Sequence, residues 1–197
     1  MRLITKLAAV LTAIAAIVAA PSWAGVKVGD AAPAFDLPGT DGKQHKLSEL
    51  TDQGWVVLAW FPKAYTSGCT IECKSLAENG HLLRKFNVKY YMASVDPLAD
   101  NIGFAEKEGA DFPLLSDVSK SVAAAYGVLS PRGFAKRHTF YINSEGTIVA
   151  IDQAVKPATS AEDMAAMLAE LGAPPAVATP APPTLIQSDQ TPAASSE

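Results

Sequence analysis

The sequence predicts an α/β fold in which a central mixed β-sheet is flanked by helices. Two strongly apolar segments, residues 55–61 and 88–95, have the composition of central strands that are covered on both faces. A segment with helical start and stop signals follows each of them, which is the alternation that produces parallel strands. A later β-hairpin and a final helix complete an order of elements that is typical of one mixed sheet between helices.

The first 24 residues have the features of a secretory signal peptide. Arg2 and Lys6 supply a positive start, and an apolar run of mostly Leu, Ala, Ile and Val spans residues 7–20. Residues 22–24, Ser-Trp-Ala, then offer the small residues that signal peptidase requires. The alternative is an uncleaved membrane anchor, but this run is shorter than the ~20 residues that span a bilayer. The sequence therefore predicts an exported protein, either periplasmic or secreted, that has no membrane association after cleavage.

The opposite end is of low complexity. Residues 172–197 are mostly Ala, Pro, Thr and Ser without periodicity, and they are predicted to form a disordered tail. One folded domain is therefore expected at residues 25–171, which is long enough for a sizeable core. Without Arg2 and Lys6, 14 basic residues remain against 20 acidic ones, a net charge of −6. No basic stripe is apparent, which argues against nucleic acid or an anionic membrane surface as a partner.

The other predicted elements each carry a start or a stop signal. Asp41-Gly42 predicts the turn of an N-terminal hairpin, and Pro62 ends the first long strand because proline cannot donate to a ladder. In chain order, the further predictions are a helix over 69–86, a helix over 99–108 ended by Gly109, a short extended piece at 112–115, a helix from a Ser119 cap to Tyr126, a hairpin of 137–142 with 147–151, and a last helix from a Ser160 cap to Leu171. This order is the plan of a thioredoxin-like fold, in which the two early strands are expected to be parallel.

The most informative stretch for chemistry runs from the end of the first long strand into the next helix. Ligands of open α/β sheets bind beyond the carboxyl ends of the strands, so the topology already marks this loop. Cys69 is placed at the first helical turn, where unpaired backbone N–H groups and the helix dipole favour the nucleophilic thiolate. Thr66, three residues earlier, could hydrogen-bond both this thiolate and a bound oxygen ligand.

The chain contains only two cysteines, Cys69 and Cys73, four residues apart. A disulfide that closes so small a loop removes little chain entropy, so a purely structural bridge is disfavoured. Three alternatives remain open: a redox pair, a pair of metal ligands, or one reactive thiol beside a cysteine that packs in the core.

These residues resemble the active site of a known family. Pro62, Thr66 and Cys69 reproduce the Pro-x3-Thr-x2-Cys motif of peroxiredoxins, and the surrounding sequence is most similar to the Q-type branch, also called bacterioferritin comigratory proteins. Arg137 occupies the place of the arginine that this family carries just before a late strand. The resemblance covers roughly residues 26–150.

The resemblance implies a thiol-dependent peroxidase. In this family the thiolate corresponding to Cys69 attacks the terminal oxygen of hydrogen peroxide or an organic hydroperoxide and becomes a sulfenic acid. Thr66 and Arg137 would hold the two peroxide oxygens and stabilise the leaving alkoxide, while Pro62 would shield the sulfur from water. The mechanism implies no metal or organic cofactor. Its partners would be the hydroperoxide and a thioredoxin-like or other dithiol reductant, and the protein would be a monomer or a weak homodimer.

The second cysteine departs from the usual Q-type pattern. That pattern places the resolving cysteine five residues after the peroxidatic one, whereas Cys73 follows Cys69 by four. On an intact helix the two Cα atoms would be ~6.2 Å apart, within the disulfide range, but the Cβ atoms would exceed the usual ~3.5–4.5 Å. Forming the intramolecular disulfide should therefore distort the first helical turn. The alternative is that Cys73 packs in the core beside Leu76 and Leu83.

The residues around the motif also have simpler interpretations. Thr66 could merely cap the helix, and Arg137 could be an ordinary surface cation. Lys63 and Glu72 flank the site and are interpreted as solvated charges, while His45 has no identifiable partner.

A rival function is a Sco-like copper chaperone, which also carries two cysteines four apart at this helix start and uses a distant histidine. His138 stands in about that place, and two thiolates with an imidazole suit a soft metal. Against it, the Sco motif has proline after each cysteine, whereas Thr70 and Lys74 follow here. Thr66 lies at peroxiredoxin spacing, and Arg137 would place a positive charge near the metal. The Cys-x2-Cys motif of thiol–disulfide oxidoreductases is absent.

Overall fold

The computed structural model describes residues 25–176, so the predicted signal peptide and the tail from residue 177 onward lie outside the described residues. In chain order the elements are strands β1 (Asp36–Pro38) and β2 (Gln44–Lys46), helix α1 (Leu47–Thr51), β3 (Trp55–Trp60), α2 (Ser67–Asn79), a 3₁₀ helix (Gly80–Lys85), β4 (Val88–Ser94), α3 (Leu98–Glu108), β5 (Leu114–Ser116), α4 (Ser121–Ala125), β6 (His138–Ile142), β7 (Ile148–Asp152), a 3₁₀ turn (Pro157–Thr159) and α5 (Ser160–Glu170).

The five-stranded sheet has the order β5-β4-β3-β6-β7 and is mixed, as the sequence predicts. Strands β3 and β4 run parallel, with Trp55 opposite Val88, whereas β6 pairs with β3 in the antiparallel direction. Because β3 lies in the middle, all of its residues after Trp55 are buried, which is the physical reason for its uninterrupted apolar sequence. The predicted thioredoxin-like α/β fold is confirmed.

The sheet separates two apolar clusters, and alternate residues of β3 enter opposite ones. Leu58 and Trp60 belong to the cluster under the N-terminal hairpin. Val57 and Ala59 belong to the cluster beneath α2 and α5, which also contains both cysteines. The period of two along the strand therefore decides which of its side chains pack on the face of the sheet where the thiols lie.

The N-terminal hairpin forms as predicted, with β1 and β2 antiparallel around the Asp41-Gly42 turn. His45, for which the sequence suggests no partner, is 7% exposed, and its Nε2 lies 2.9 Å from the Asp41 carboxylate. The imidazole also packs edge-on against Tyr91, with ring centroids 5.0 Å apart. Since burial without a partner would be unfavourable, the Asp41 contact accounts for a histidine at this position.

Several predicted helix boundaries are wrong by a few residues. The predicted helix over 69–86 is α-helical only to Asn79 and continues as the 3₁₀ helix. Ser119 is not the cap of α4, which starts at Ser121 after Lys120, a non-glycine residue with φ of 63°. The N–H donor that a cap would satisfy, at Ala123, instead donates to the buried Asp117 carboxylate.

Ser160 is likewise the first residue of α5 rather than its cap, because a 3₁₀ turn leads directly into the helix. The predicted start of α5 is nevertheless correct to within one residue.

The predicted domain boundary at residue 171 falls short of the folded chain. Ala173 is buried, Asn87 N–H donates to the Pro174 carbonyl at 2.7 Å, and Pro175 forms a bridge with Phe86. The Ala- and Pro-rich composition of this segment does not predict these contacts, because backbone hydrogen bonds do not depend on side-chain periodicity. Between residues 25 and 176, none of the helices has both the length and the apolar character that crossing a bilayer would require.

Candidate active site

The site lies where β3 ends and α2 begins. Phe61 is buried, Pro62 is half-buried, and a short loop leads to Ser67, the first residue of α2. Cys69 therefore occupies the first turn of a 13-residue helix, as predicted, and it is 0% exposed. At this position the sulfur is close to backbone N–H groups that have no intrahelical acceptor, and these groups favour negative charge.

Arg137 reaches this sulfur from the position just before β6, the strand that pairs with β3. Its Nη2 group donates to Cys69 Sγ at a distance of 3.2 Å. The register explains the approach: Trp60 pairs with His138, so Arg137 stands just beyond the paired strands, beside the start of the loop. The alternative of an ordinary surface cation is wrong, because the side chain is only 18% exposed.

The second arm of the guanidinium is held by Glu72. Arg137 Nη1 donates to Glu72 Oε2, and the Glu72 side chain is fully buried. The interpretation of Glu72 as a solvated charge is therefore wrong. Residues three apart share a helix face, so the side of α2 that presents Cys69 also presents Glu72 to Arg137. One guanidinium thus bridges the thiol and a buried carboxylate, which restricts its orientation.

Gly68 is a site residue that sequence reasoning missed. A Cβ atom added at this position would lie 3.1 Å from Arg137 Nη2. Glycine leaves room for the guanidinium beside the helix N-terminus, whereas a larger side chain would displace it. The available signal was a glycine immediately before the reactive cysteine, inside the first turn of a helix where glycine is otherwise unfavourable.

Thr66 occupies the N-cap position of α2, but its side chain does not cap the helix. The hydroxyl instead donates to the Lys63 carbonyl at 2.9 Å, and the residue is exposed. The oxygen retains its acceptor capacity, and the hydroxyl can rotate to donate to a ligand. The simple capping interpretation of this side chain is therefore wrong.

A buried carboxylate anchors the loop between Pro62 and Cys69. Asp96, 4% exposed at the end of β4, accepts the Ala64 backbone N–H at 2.9 Å and lies 3.3 Å from Lys63 Nζ. Lys63 is half exposed, but its ammonium group is paired with the Asp96 carboxylate, so the interpretation of Lys63 as a solvated charge is incomplete. Tyr65 adopts a φ of 64°, and its ring packs edge-on against Phe104 with centroids 5.4 Å apart. Such a backbone conformation persists only where neighbouring contacts hold it.

Cys73 lies one turn further along α2 and is 0% exposed, in the same apolar cluster as Leu76 and Leu83. Burial, with smaller contributions from the charges of Glu108 and Cys69, raises the pKa of the Cys73 thiol to about 12. At neutral pH this group is therefore a protonated thiol. Both cysteines are free in this structure.

The geometry does not favour the rival metal site. His138 begins β6 and is half-buried, and desolvation followed by the nearby Lys136 charge lowers its pKa. Over residues 25–176, no three side chains of the types that bind metals come together in a cluster. The polar side of Cys69 is instead occupied by the Arg137 cation, which would repel a metal ion.

Comparisons with known proteins agree with this geometry. The AhpC/TSA family profile matches residues 28–151. The chain is 38% identical over 131 residues to peroxiredoxin Bcp of Escherichia coli, covering 62% of this chain and 83% of that protein. The crystal structure of peroxidoxin BcpB from Mycobacterium tuberculosis is similar with a TM-score of 0.67 at 32% identity, over 73% of this chain and 97% of the other.

A bacterioferritin comigratory protein of Xanthomonas campestris, described in connection with its alkyl peroxide reduction activity, is similar with a TM-score of 0.64 at 27% identity. The match covers 69% of this chain and 90% of that one. Sequence and fold therefore lead to the same group of proteins as the loop motif does.

Proposed function

Because the chain belongs to the AhpC/TSA family and is a peroxiredoxin of the Q-type branch, we propose that Cys69 is its peroxidatic cysteine. The observation that carries this assignment is the 3.2 Å contact between Arg137 Nη2 and Cys69 Sγ at a helix N-terminus. Both features stabilise a thiolate, and the thiolate is the nucleophile. Rapid mixing of the reduced protein with hydrogen peroxide tests the assignment.

The first chemical step consumes one hydroperoxide. The Cys69 thiolate attacks the terminal oxygen, an S–O bond forms, and the O–O bond breaks with its electron pair going to the leaving alkoxide. The alkoxide takes up a proton and departs as an alcohol, or as water when the substrate is hydrogen peroxide. Cys69 is left as a sulfenic acid.

Arg137 is placed to stabilise the charge that moves in this step. Negative charge passes from the sulfur to the leaving oxygen during this step. A guanidinium that already lies beside the sulfur stabilises this charge without reorganisation. Glu72 orients the guanidinium but also reduces its net charge, so we assign it a positioning role. Thr66, exposed at the loop, supplies a hydroxyl to the peroxide, and Pro62 limits the access of water.

The substrates are hydrogen peroxide and organic hydroperoxides. The Xanthomonas relative supports alkyl hydroperoxides as one class. On this chain Tyr65 is 51% exposed within the site loop, four residues before Cys69. A large exposed aromatic side chain in this loop suits the hydrocarbon part of such a substrate.

The second step is assigned to Cys73. Its thiol attacks the Cys69 sulfenic acid, a disulfide forms, and water leaves, after which a dithiol reductant restores both thiols. Since Cys73 is buried on an intact helix with a raised pKa, the first turn of α2 must unwind before the two sulfur atoms meet. Unwinding also exposes the thiol to water, which removes the main cause of its raised pKa.

Replacing Cys73 with serine should separate the two steps. We expect the first peroxide turnover to proceed at nearly the native rate, because the Cys69–Arg137 contact does not involve Cys73. The sulfenic acid should then persist, since no internal thiol can resolve it. Trapping with a sulfenic-acid reagent and mass spectrometry should detect it after one equivalent of peroxide.

A Cys73→Ala variant serves as the matched control, because serine introduces a hydroxyl into a fully buried apolar site at a cost of about 1–3 kcal/mol. Both variants should trap the sulfenic acid. Normal recycling of either one by a dithiol, without accumulation of sulfenic acid, would mean that Cys73 is a core residue only.

We also propose that the protein is exported. The signal-peptide features of residues 1–24 support this, and the expected cleavage follows Ala24. Expression of the full chain in a Gram-negative host should give a periplasmic protein whose N-terminus is Gly25. An intact N-terminus in a cytoplasmic fraction would contradict the proposal.

A further inference from the structure

The segment that delivers Arg137 differs in charge from the rest of the chain. Asp117 and Glu145 are consecutive acidic residues, and between them the chain carries Lys120, Arg132, Lys136 and Arg137. The whole chain has a net charge of −4. Residues 118–144 therefore carry four cations and no carboxylate, and this stretch leads into the active site.

Contacts place this stretch beside the loop that precedes Cys69. Lys63 Nζ lies 5.6 Å from the centre of the Phe134 ring, and Lys63 belongs to the active-site loop. Lys120 Nζ would lie 3.0 Å from a Cβ atom added at Gly133, so this cation lies against the same turn. We name the three exposed cations Lys63, Lys120 and Arg132 the basic rim.

Two of the three cations form no ion pair among the described residues. Between residues 25 and 176, Lys63 is paired with Asp96, whereas Lys120 and Arg132 have no such partner. Phe134, two residues after Arg132, is 40% exposed. An exposed aromatic ring next to unpaired cations is the composition of a protein-binding patch, in which the ring supplies contact area and the charges select the partner.

We propose that the basic rim and Phe134 form the docking surface for the reductant, and that this reductant is a dithiol protein with acidic residues around its thiols. The inference rests on the proposed function, because it needs a disulfide at Cys69 for the partner to reduce. One reductant thiolate attacks that disulfide, the second closes the partner's own disulfide, and Cys69 and Cys73 leave as thiols. Opposite charges increase the rate at which the two sites meet.

The test compares two small dithiols of opposite charge, anionic dihydrolipoate and cationic dithiobutylamine, on the peroxide-oxidised protein. The quantity measured is the ratio of their second-order rate constants, because intrinsic differences between the reagents cancel when the ratio is compared across variants. In Lys120→Glu/Arg132→Glu, the ratio of the anionic to the cationic rate should fall roughly tenfold.

The matched control is Lys85→Glu/Lys89→Glu, which changes the net charge equally. Both side chains are exposed, and Lys89 lies at the start of β4, the end of the sheet opposite Cys69. Its ratio should equal that of the native protein. An equal ratio in all three proteins, with the first peroxide turnover intact, would overturn the docking surface alone. Loss of the first turnover in the native protein would instead overturn the proposed function.

Discussion

Replacing Cys69 with serine should reduce peroxide consumption to the level of the buffer. A serine hydroxyl can accept the same hydrogen bond from Arg137, but at neutral pH it is not ionised and cannot attack the O–O bond. Cys73 is the only other cysteine of the chain, and the hydrogen bond from Arg137 goes to Cys69. We therefore expect no other residue to substitute for the Cys69 thiol. Stopped-flow mixing with hydrogen peroxide and with an alkyl hydroperoxide, in the presence of a dithiol, measures the loss.

The thermal unfolding of Cys69→Ser provides the control. The residue is fully buried but contacts the Arg137 guanidinium, so the serine hydroxyl has a polar partner and the fold should be retained. A folded Cys69→Ser protein that still consumes peroxide faster than a folded Cys69→Ser/Cys73→Ser protein would show that Cys73 is the peroxidatic residue. That outcome would contradict the assignment.

Replacing Arg137 with alanine should slow the reaction of Cys69 with peroxide by about 10²–10³-fold, the usual effect of removing one preorganised donor. The variant loses the cation beside the sulfur and the donor for the leaving oxygen together. It also leaves the Glu72 carboxylate buried and unpaired, which typically costs about 3–5 kcal/mol of stability. The rate constant for sulfenic acid formation should therefore be measured under conditions where the variant is folded.

Two further variants separate catalysis from stability. Arg137→Ala/Glu72→Gln removes the unpaired charge and should recover most of the stability, yet it should remain as slow as Arg137→Ala. Glu72→Gln alone keeps the guanidinium, so it should lower the rate far less. It should also shift the pH profile of the peroxide reaction, because the positive charge of Arg137 is then no longer partly neutralised by the Glu72 carboxylate. Recovery of the native rate in the double variant would show that Arg137 acts on stability only.

The local features of the sequence predict much of the fold. The apolar runs of β3 and β4, the turn at Asp41-Gly42 and the stop at Gly109 all correspond to observed elements. The misplaced helix starts have a common cause: Ser119 and Ser160 have the composition of caps, but the chain geometry before each helix gives the capping position to a neighbouring residue.

The sequence is less informative about charged residues near the site. The sequence predicts solvated charges at Glu72 and Lys63, yet Glu72 is fully buried against Arg137, 65 residues away, and Lys63 pairs with Asp96, 33 residues away. A carboxylate on a helix has the same local pattern whether it faces water or a buried cation. Only the partner from a distant strand distinguishes the two cases.

By itself the sequence determined the position of the candidate nucleophile: the spacing of Pro62, Thr66 and Cys69, directly after an apolar strand, places a thiol at a helix N-terminus. This conclusion needs only short-range geometry, because the end of a strand and the first turn of a helix are set by neighbouring residues. The tertiary structure alone decided how that sulfur is surrounded. The antiparallel pairing of β3 with β6 delivers Arg137, and Gly68 and Glu72 position it, through contacts between segments that are distant in the chain.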